Sequence, residues 1–213
     1  MGIICYTQTM NSLNKDTYIF IGASGSGKGT QVGLLKEYIT KKDPETPIFY
    51  VQTGAYFREF VKGDTYAAHI AREVQANGAL QPSFLAMWIW SDLFVKNLTG
   101  KEHLILDGAP RTTSEAHHLD IAMKFFKRER PVVIYLKVHR EWSFRHLMER
   151  ASKEGRPDDT ESSINRRLDW FDRDVLPTVN HYRRDRDYDF IEINGENSIE
   201  EVHSEIIANV FGE

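Results

Sequence analysis

The chain has 213 residues, 41% hydrophobic and 27% charged, with 14 glycines and 7 prolines, which suits one large globular domain and excludes collagen-like, low-complexity and disordered classes. One cysteine, Cys5, excludes an internal disulfide and any cysteine-built zinc cluster, and none of the 8 histidines falls in a His-Glu-x-x-His pattern, so no dedicated metal site is expected. A net charge of -4 argues against nonspecific nucleic-acid binding; no apolar run nears the roughly 20 residues of a membrane span and no signal-peptide pattern opens the chain, so a cytoplasmic protein is expected.

Residues 1–16 lack a clear period and read as an N-terminal extension, with Met10 an alternative start. The opening Met-Gly-Ile-Ile-Cys does not complete a myristoylation pattern, because Tyr6 stands where Ser or Thr is required. From residue 17 short β-rich runs alternate with helical patterns. Strands are predicted at 17–21, 48–51, 103–106, 132–138 and 190–193, and their Val, Ile, Phe and Tyr content suits buried parallel strands joined by crossover helices. Helices are predicted at 28–41, 55–61, 65–76, 83–97, 114–127, 141–151, 160–184 and 199–210. Gly78 ends one helical pattern and Pro82 opens the next. In the long 160–184 pattern Ile164, Leu168, Phe171, Val175, Val179 and Tyr182 mark a core face, and Pro177 predicts a kink. The result is an α/β fold with a five-stranded parallel sheet flanked by helices. About fifty residues with three helical patterns separate the second and third strands, more than a crossover needs, so a small helical subdomain acting as a ligand clamp is expected there.

Gly22-Ala23-Ser24-Gly25-Ser26-Gly27-Lys28-Gly29-Thr30 follows the first strand and opens a helix, the context a phosphate-binding loop requires. Its glycines allow positive φ and close approach of backbone N–H groups to phosphate oxygens, and the helix N-terminus adds partial positive charge. Lys28 can span the β and γ phosphates. Because Gly29 intervenes before Thr30, no protein side chain is expected to bind magnesium directly. Asp107, ending the apolar run Leu104-Ile105-Leu106, would lie beside the loop if their strands pair, and could orient magnesium-bound water.

Arg111 follows the same strand end, and Thr53-Gly54 with Arg58 follows the preceding one. Ligands of open α/β sheets bind outside the carboxyl ends of the strands, so these arginines can grip a second phosphate bidentately. Two nucleotides facing each other are expected. Arginine is also concentrated C-terminally, ten of fifteen lying between Arg140 and Arg186, but Lys153 and ten acids leave that stretch a balance of only +1, as a salt-bridged helical region would.

These motifs, in this order, resemble the adenylate kinase and nucleoside monophosphate kinase family over nearly everything from Tyr18 to Phe211. The loop is similar to that family's signature apart from Ser24, where proline is usual. Leu106-Asp107-Gly108-Ala109-Pro110-Arg111-Thr112 is similar to its second signature, with Ala109 replacing an aromatic, and Leu147-Met148-Glu149-Arg150, Gly155-Arg156-Pro157-Asp158-Asp159 and Arg166-Arg167-Leu168 resemble its lid and flanking arginines. The resemblance implies a P-loop NTPase fold of nucleoside monophosphate kinase type and a phosphotransferase moving the γ-phosphoryl of ATP, with Mg²⁺, to a nucleoside monophosphate, foremost AMP. It implies a core of residues 17–52, 82–151 and 160–213, a monophosphate-binding subdomain at 53–81 and a short lid at 152–159, and one cysteine cannot provide the zinc-binding set that some long-lid members carry. By the same likeness Lys28, Arg111, Arg150, Arg156 and Arg167 surround the transferred group. ATP would meet Gly25, Ser26, Gly27, Lys28, Gly29, Thr30, His146, Arg150 and Asn197. The monophosphate would meet Thr53, Gly54, Arg58, Ala79, Gln81, Gly108, Arg111, Glu115, Arg156 and Arg167.

Two departures bear on the bases. Glu115 stands where adenylate kinases usually carry glutamine; a carboxylate only accepts hydrogen bonds, which suits guanine, whereas a protonated Glu115 could read adenine and a helix-capping Glu115 would read neither. His146 stands where an arginine often stacks on the donor adenine, and an imidazole stacks with less cationic attraction. GMP, UMP or CMP kinases and a non-catalytic nucleotide sensor on the same fold are the alternatives. His117 and His118 match no motif and read as surface or helix-packing residues, as Arg140, Arg145, Arg183, Arg184 and Arg186 do by default. A monomer whose partners are small-molecule nucleotides is expected.

Overall fold

The computed structural model describes residues 16–154 and 160–213. The N-terminal extension up to residue 15 and the lid segment 155–159, with Arg156, lie outside the described residues. In chain order the elements are β1 (Thr17–Gly22), α1 (Lys28–Lys42), β2 (Ile48–Gln52), α2 (Thr53–Phe60), α3 (Tyr66–Ala76), α4 (Ser83–Asn97), β3 (His103–Asp107), α5 (Thr113–Phe125), β4 (Val132–Lys137), α6 (Arg140–Glu154), α7 (Glu161–Trp170), a π-helical turn (Phe171–Val175), α8 (Leu176–Arg184), β5 (Asp189–Asn194) and α9 (Ile199–Phe211).

The five strands form one all-parallel sheet in the order β2-β3-β1-β4-β5. Alternation along β1 explains the layering, since successive side chains point to opposite faces. Ile19 and Ile21 join Leu104, Leu106, Val133 and Tyr135 in a core under α4 to α8, where Trp90, Phe94, Leu119, Leu147, Leu168 and Val179 pack. Tyr18 and Phe20 face the other way, with Ile105, Ile134 and Ile193, against Val32, Leu35 and Ile39 of α1 and Val202 and Ile206 of α9. Both faces are covered, which is why the strands read as near-continuous apolar runs. A third cluster, Phe57, Val61, Ala71, Leu85, Ala86 and Ile89, joins α2 and α3 to α4.

Local signals set the helix starts. Thr65, Thr112 and Thr160 accept hydrogen bonds from the backbone N–H three residues on, and Ser198 with Glu201 completes a reciprocal capping box. The sequence predicts one kinked helix over 160–184; the structure has two helices joined by a π turn. The N–H of Leu176 reaches back five residues to the carbonyl of Phe171. Pro177 has no N–H to donate and its ring would crowd the carbonyl four residues back, so the ladder widens by one turn just before it. Two of the surface arginines form ion pairs: Arg140 of α6 pairs with Asp169 of α7 at 2.8 Å, and Arg183 pairs with Glu192.

Candidate active site

Strands β2 and β3 lie on one side of β1 and β4 and β5 on the other, so the chain reverses its order of travel around β1 and leaves a crevice at the carboxyl ends of the strands. A cleft of about 520 Å³ opens there, lined by residues of the 22–30 loop, of α2, of the α3–α4 junction, of the segment after β3, and of α6 and α7.

The loop has the backbone its glycines predict. Gly25 and Gly27 hold φ of 82° and 86°, in the region that L side chains rarely adopt. A Cβ on Gly25 would lie 2.9 Å from the carbonyl oxygen of Ser143, so α6 packs against the loop too closely for any side chain. Gly27 is the N-cap of α1, and its side chain position is open. Lys28 folds over the loop: its ammonium donates to the carbonyls of Gly22 and Ala23, both at 2.8 Å, and lies 3.5 Å from Ser26 Oγ. Desolvation pushes the Lys28 pKa down to about 8; Arg111 and Arg150 push the same way, and Asp107 opposes them.

Asp107 pairs in register with Phe20 of β1, which sets its carboxylate beside the loop. Its Oδ2 accepts from Tyr50 Oη at 3.0 Å and Gln52 Nε2 at 3.3 Å, so the edge strand β2 orients it. After β2, a Cβ on Gly54 would lie 3.4 Å from Arg58 Nη1 and 3.9 Å from Arg111 Nη2. The glycine leaves room for two guanidiniums to converge. Gly108, at φ 77°, turns the chain after β3, and its carbonyl accepts from Arg111 Nε at 2.9 Å. The Arg111 guanidinium also lies over the Trp170 ring, 5.5 Å from its centroid. Burial weakens the hold of Arg111 on its proton, while Glu115 and Asp107 restore part of it.

Gly25, Gly27, Lys28, Gly29, Thr30, Gly54, Arg58, Ala79, Gln81, Asp107, Gly108, Arg111, His146, Arg150 and Arg167 all line the cleft. Four other predicted site residues do not. Ser26 is buried beneath the loop, and Thr53 is buried at the start of α2. Asn197 is exposed in the β5–α9 turn, where it accepts from Asn194 Nδ2. Glu115 is 1% exposed and acts in the first turn of α5: its N–H donates to Thr112 Oγ1, and its Oε2 accepts from the N–H of Arg111 at 2.9 Å. Burial pushes the Glu115 carboxyl up, against the pull of Arg111. His146 donates from Nδ1 to the Trp142 carbonyl and stacks on the Trp142 ring, with centroids 4.3 Å apart. Sequence reasoning passes over several lining residues, among them Gln52, Phe57, Gln75, Gly78, Ser163 and Trp170. Only Gly78, a helix terminator, leaves a local signal. Trp170 and Ser163 sit on the core-facing stripe of α7 and look like packing until the helix is placed against the cleft.

Comparison with known proteins agrees with this geometry. A family model described as Adenylate kinase matches residues 20–187. A protein of Azobacteroides pseudotrichonymphae named Adenylate kinase is 34% identical over 189 residues, covering 89% of this chain and 94% of its own length. Proteins of the same name from Leptospira biflexa, 33% identical over 90% of this chain and 98% of theirs, and from Clostridium botulinum, 30% identical over 91% and 97%, match as broadly. With the glycine-rich 22–30 loop and paired arginines lining one cleft, and matches of this breadth, the chain belongs to the adenylate kinase family.

Proposed function

We propose that the protein transfers the γ-phosphoryl group of ATP to AMP, giving two molecules of ADP. The observation that carries this reading is one cleft lined by two cationic grips: the 22–30 loop with Lys28, and Arg58 with Arg111 about Gly54. Each grip suits one phosphate group, and the space between them suits in-line transfer from donor to acceptor. A loose transition state spreads negative charge over three equatorial oxygens and demands little covalent chemistry, so positioned cations supply most of the acceleration. In this reading Lys28, Arg111, Arg150 and Arg167 surround the migrating group, joined by Arg156 of the lid. Arg58 holds the acceptor phosphate beside the small residues Gly54 and Gly108. His146, backed by Trp142, offers a flat surface to the donor base.

Gln81 offers an acceptor to the base. Its Nε2 donates to the Ala71 carbonyl at 2.7 Å, whereas its buried Oε1 has no hydrogen-bond partner and can accept from an exocyclic amino group, which adenine, guanine and cytosine carry and uracil lacks. The guanine, uracil and cytosine alternatives and the non-catalytic sensor are not favoured: the adenylate kinase family is where the chain belongs, and Glu115, the ground for guanine, is engaged with the Arg111 backbone. Magnesium would enter with ATP and would neutralise phosphate charge there. An oriented Asp107 carboxylate within the cleft fits a hydrogen bond to one of the ion's waters. We further propose the 53–81 segment as the acceptor-binding subdomain, residues 152–159 as the lid, and a cytoplasmic monomer. Among the described residues no helix is long and apolar enough to cross a membrane.

A coupled assay offering ATP with AMP, GMP, UMP or CMP tests this. AMP is expected to be the preferred acceptor for the parent and for Glu115→Gln alike, because an amide oxygen still accepts from the Arg111 N–H. Turnover with GMP above AMP, or silence with all four, would overturn the proposal.

A further inference from the structure

Helices α5 and α8 pack side by side on the sheet face that carries the larger core, and their contact brings together side chains that no nucleotide chemistry uses. His117 and Asp120 stand three residues apart on α5 and so share one face of that helix; His181 stands on α8, and Asp185 caps that helix's C-terminal end. His181 Nε2 lies 3.1 Å from Asp120 Oδ2 and 3.8 Å from Asp185 Oδ2, and His117 Nδ1 lies 3.8 Å from Asp120 Oδ2. The ligand atoms of His117, Asp120 and His181 all fall within 4.8 Å of one another. None of the four residues lines the cleft.

We propose that His117, Asp120 and His181, with Asp185 or a water as the fourth ligand, form a binding site for a transition-metal dication of the zinc type that braces α5 against α8. Tetrahedral zinc with bonds of about 2.0–2.1 Å needs ligand atoms about 3.3 Å apart, so the His181–Asp120 pair is already in place and His117 needs a shift of no more than about 1.5 Å. That shift is available, because the His117 side chain is 66% exposed whereas Asp120 and His181 are mostly covered. Two neutral imidazoles and two carboxylates balance the charge of a dication. Imidazole nitrogen selects zinc, nickel or copper over magnesium, which prefers oxygen ligands, so the site would not compete for the ion carried by ATP. A supporting shell exists too: Tyr188 donates to Asp120 Oδ1 at 2.6 Å, orienting the carboxylate so that Oδ2 faces the histidines. An ion pair between helices would account for His181 and Asp120 alone. It would not account for His117, whose Nδ1 is beyond hydrogen-bond reach of Asp120 yet whose ring stands edge-on to His181 with centroids 4.9 Å apart.

The test uses the full chain, stripped with a chelator and free of nucleotide. Titration with Zn²⁺ against a chromophoric indicator is expected to give one ion per chain with micromolar or tighter Kd. A hundredfold excess over Kd should raise Tm by about 5–10 °C, whereas Mg²⁺ at the same concentration should not. Co²⁺ should give the visible bands of a tetrahedral site. His117→Ala, at an exposed position, should fold and transfer phosphoryl groups as the parent does, yet lose the Co²⁺ bands and bind Zn²⁺ at least about tenfold more weakly. His181→Gln should lose them too. Absence of zinc uptake below about 100 μM, or His117→Ala binding like the parent, would overturn the proposal and leave a metal-free helix contact. Neither result bears on AMP as the acceptor.

Discussion

Lys28 carries its charge where solvation is poor. Its ammonium rests on two loop carbonyls with Arg111 and Arg150 nearby, and its pKa falls to about 8. Nucleotide phosphates need the charged form, so kcat/KM for ATP is expected to decline as pH rises through about 8, a limb that reports the free enzyme. In Lys28→Arg the limb should vanish, because a guanidinium stays protonated. Lys28→Ala should keep the fold and lose about 10²–10³-fold in kcat. The same shift acts on stability with the opposite sense. Between about 8 and the ordinary lysine value of 10.5 the unfolded chain binds more protons than the native state, so this residue makes stability rise with pH across that window. Chemistry of this kind is legible in the sequence where spacing carries it: the 22–30 loop and Arg111 can be named from their strand context. Glu115 cannot be assigned that way. Whether a carboxylate in the first turn of a helix faces ligand or backbone depends on where the Arg111 N–H points, which the fold decides.

At the scale of elements, the strands are legible because burial on both faces leaves apolar, β-branched runs, and the helices because their stripes keep three-to-four spacing. The π turn escapes that reading. Phe171 and Val175 are four apart and continue the stripe of Leu168, so the pattern is the same whether one ladder bond is widened or not. The contacts of α7 with the α3–α4 junction are equally silent in sequence. Trp170 Nε1 donates to the Gly78 carbonyl, and Arg166 donates to the carbonyl of Asn77. Gly78 holds φ 64°, and a Cβ there would lie 2.7 Å from Ser163 Oγ and 3.1 Å from its Cα. Gly78→Ala therefore meets backbone as well as a movable hydroxyl, and adds a strained φ. It is expected to cost about 1–3 kcal/mol, a Tm loss of several degrees by calorimetry, and to slow turnover by displacing the segment that bears Arg167 and Trp170.

For the molecule as a whole, the proposed function makes both ends of one cleft a single ligand site. An inhibitor that joins two adenosines through a phosphate chain should contact the 22–30 loop, Arg58, Arg111 and α7 together. Present at about a thousandfold over its Kd it should stabilise the native state by about 4 kcal/mol and raise Tm by about 8–16 °C. Truncated ligands that fill one end alone should give clearly less. Equal shifts from whole and half ligands would mean that the two grips do not act on one molecule.

The sheet order bears on how the protein is made. β1 lies at the centre, and its partners on either side, β3 and β4, follow it after about eighty residues or more of intervening chain. Gly22, the base of the phosphate loop, is paired with Leu136 of β4, whose carbonyl would lie 2.8 Å from any Cβ placed there. During synthesis the loop thus emerges early but waits for its wall until β4 clears the ribosome, and nascent chains stalled before that point are expected to retain no ATP and to expose β1 to chaperones.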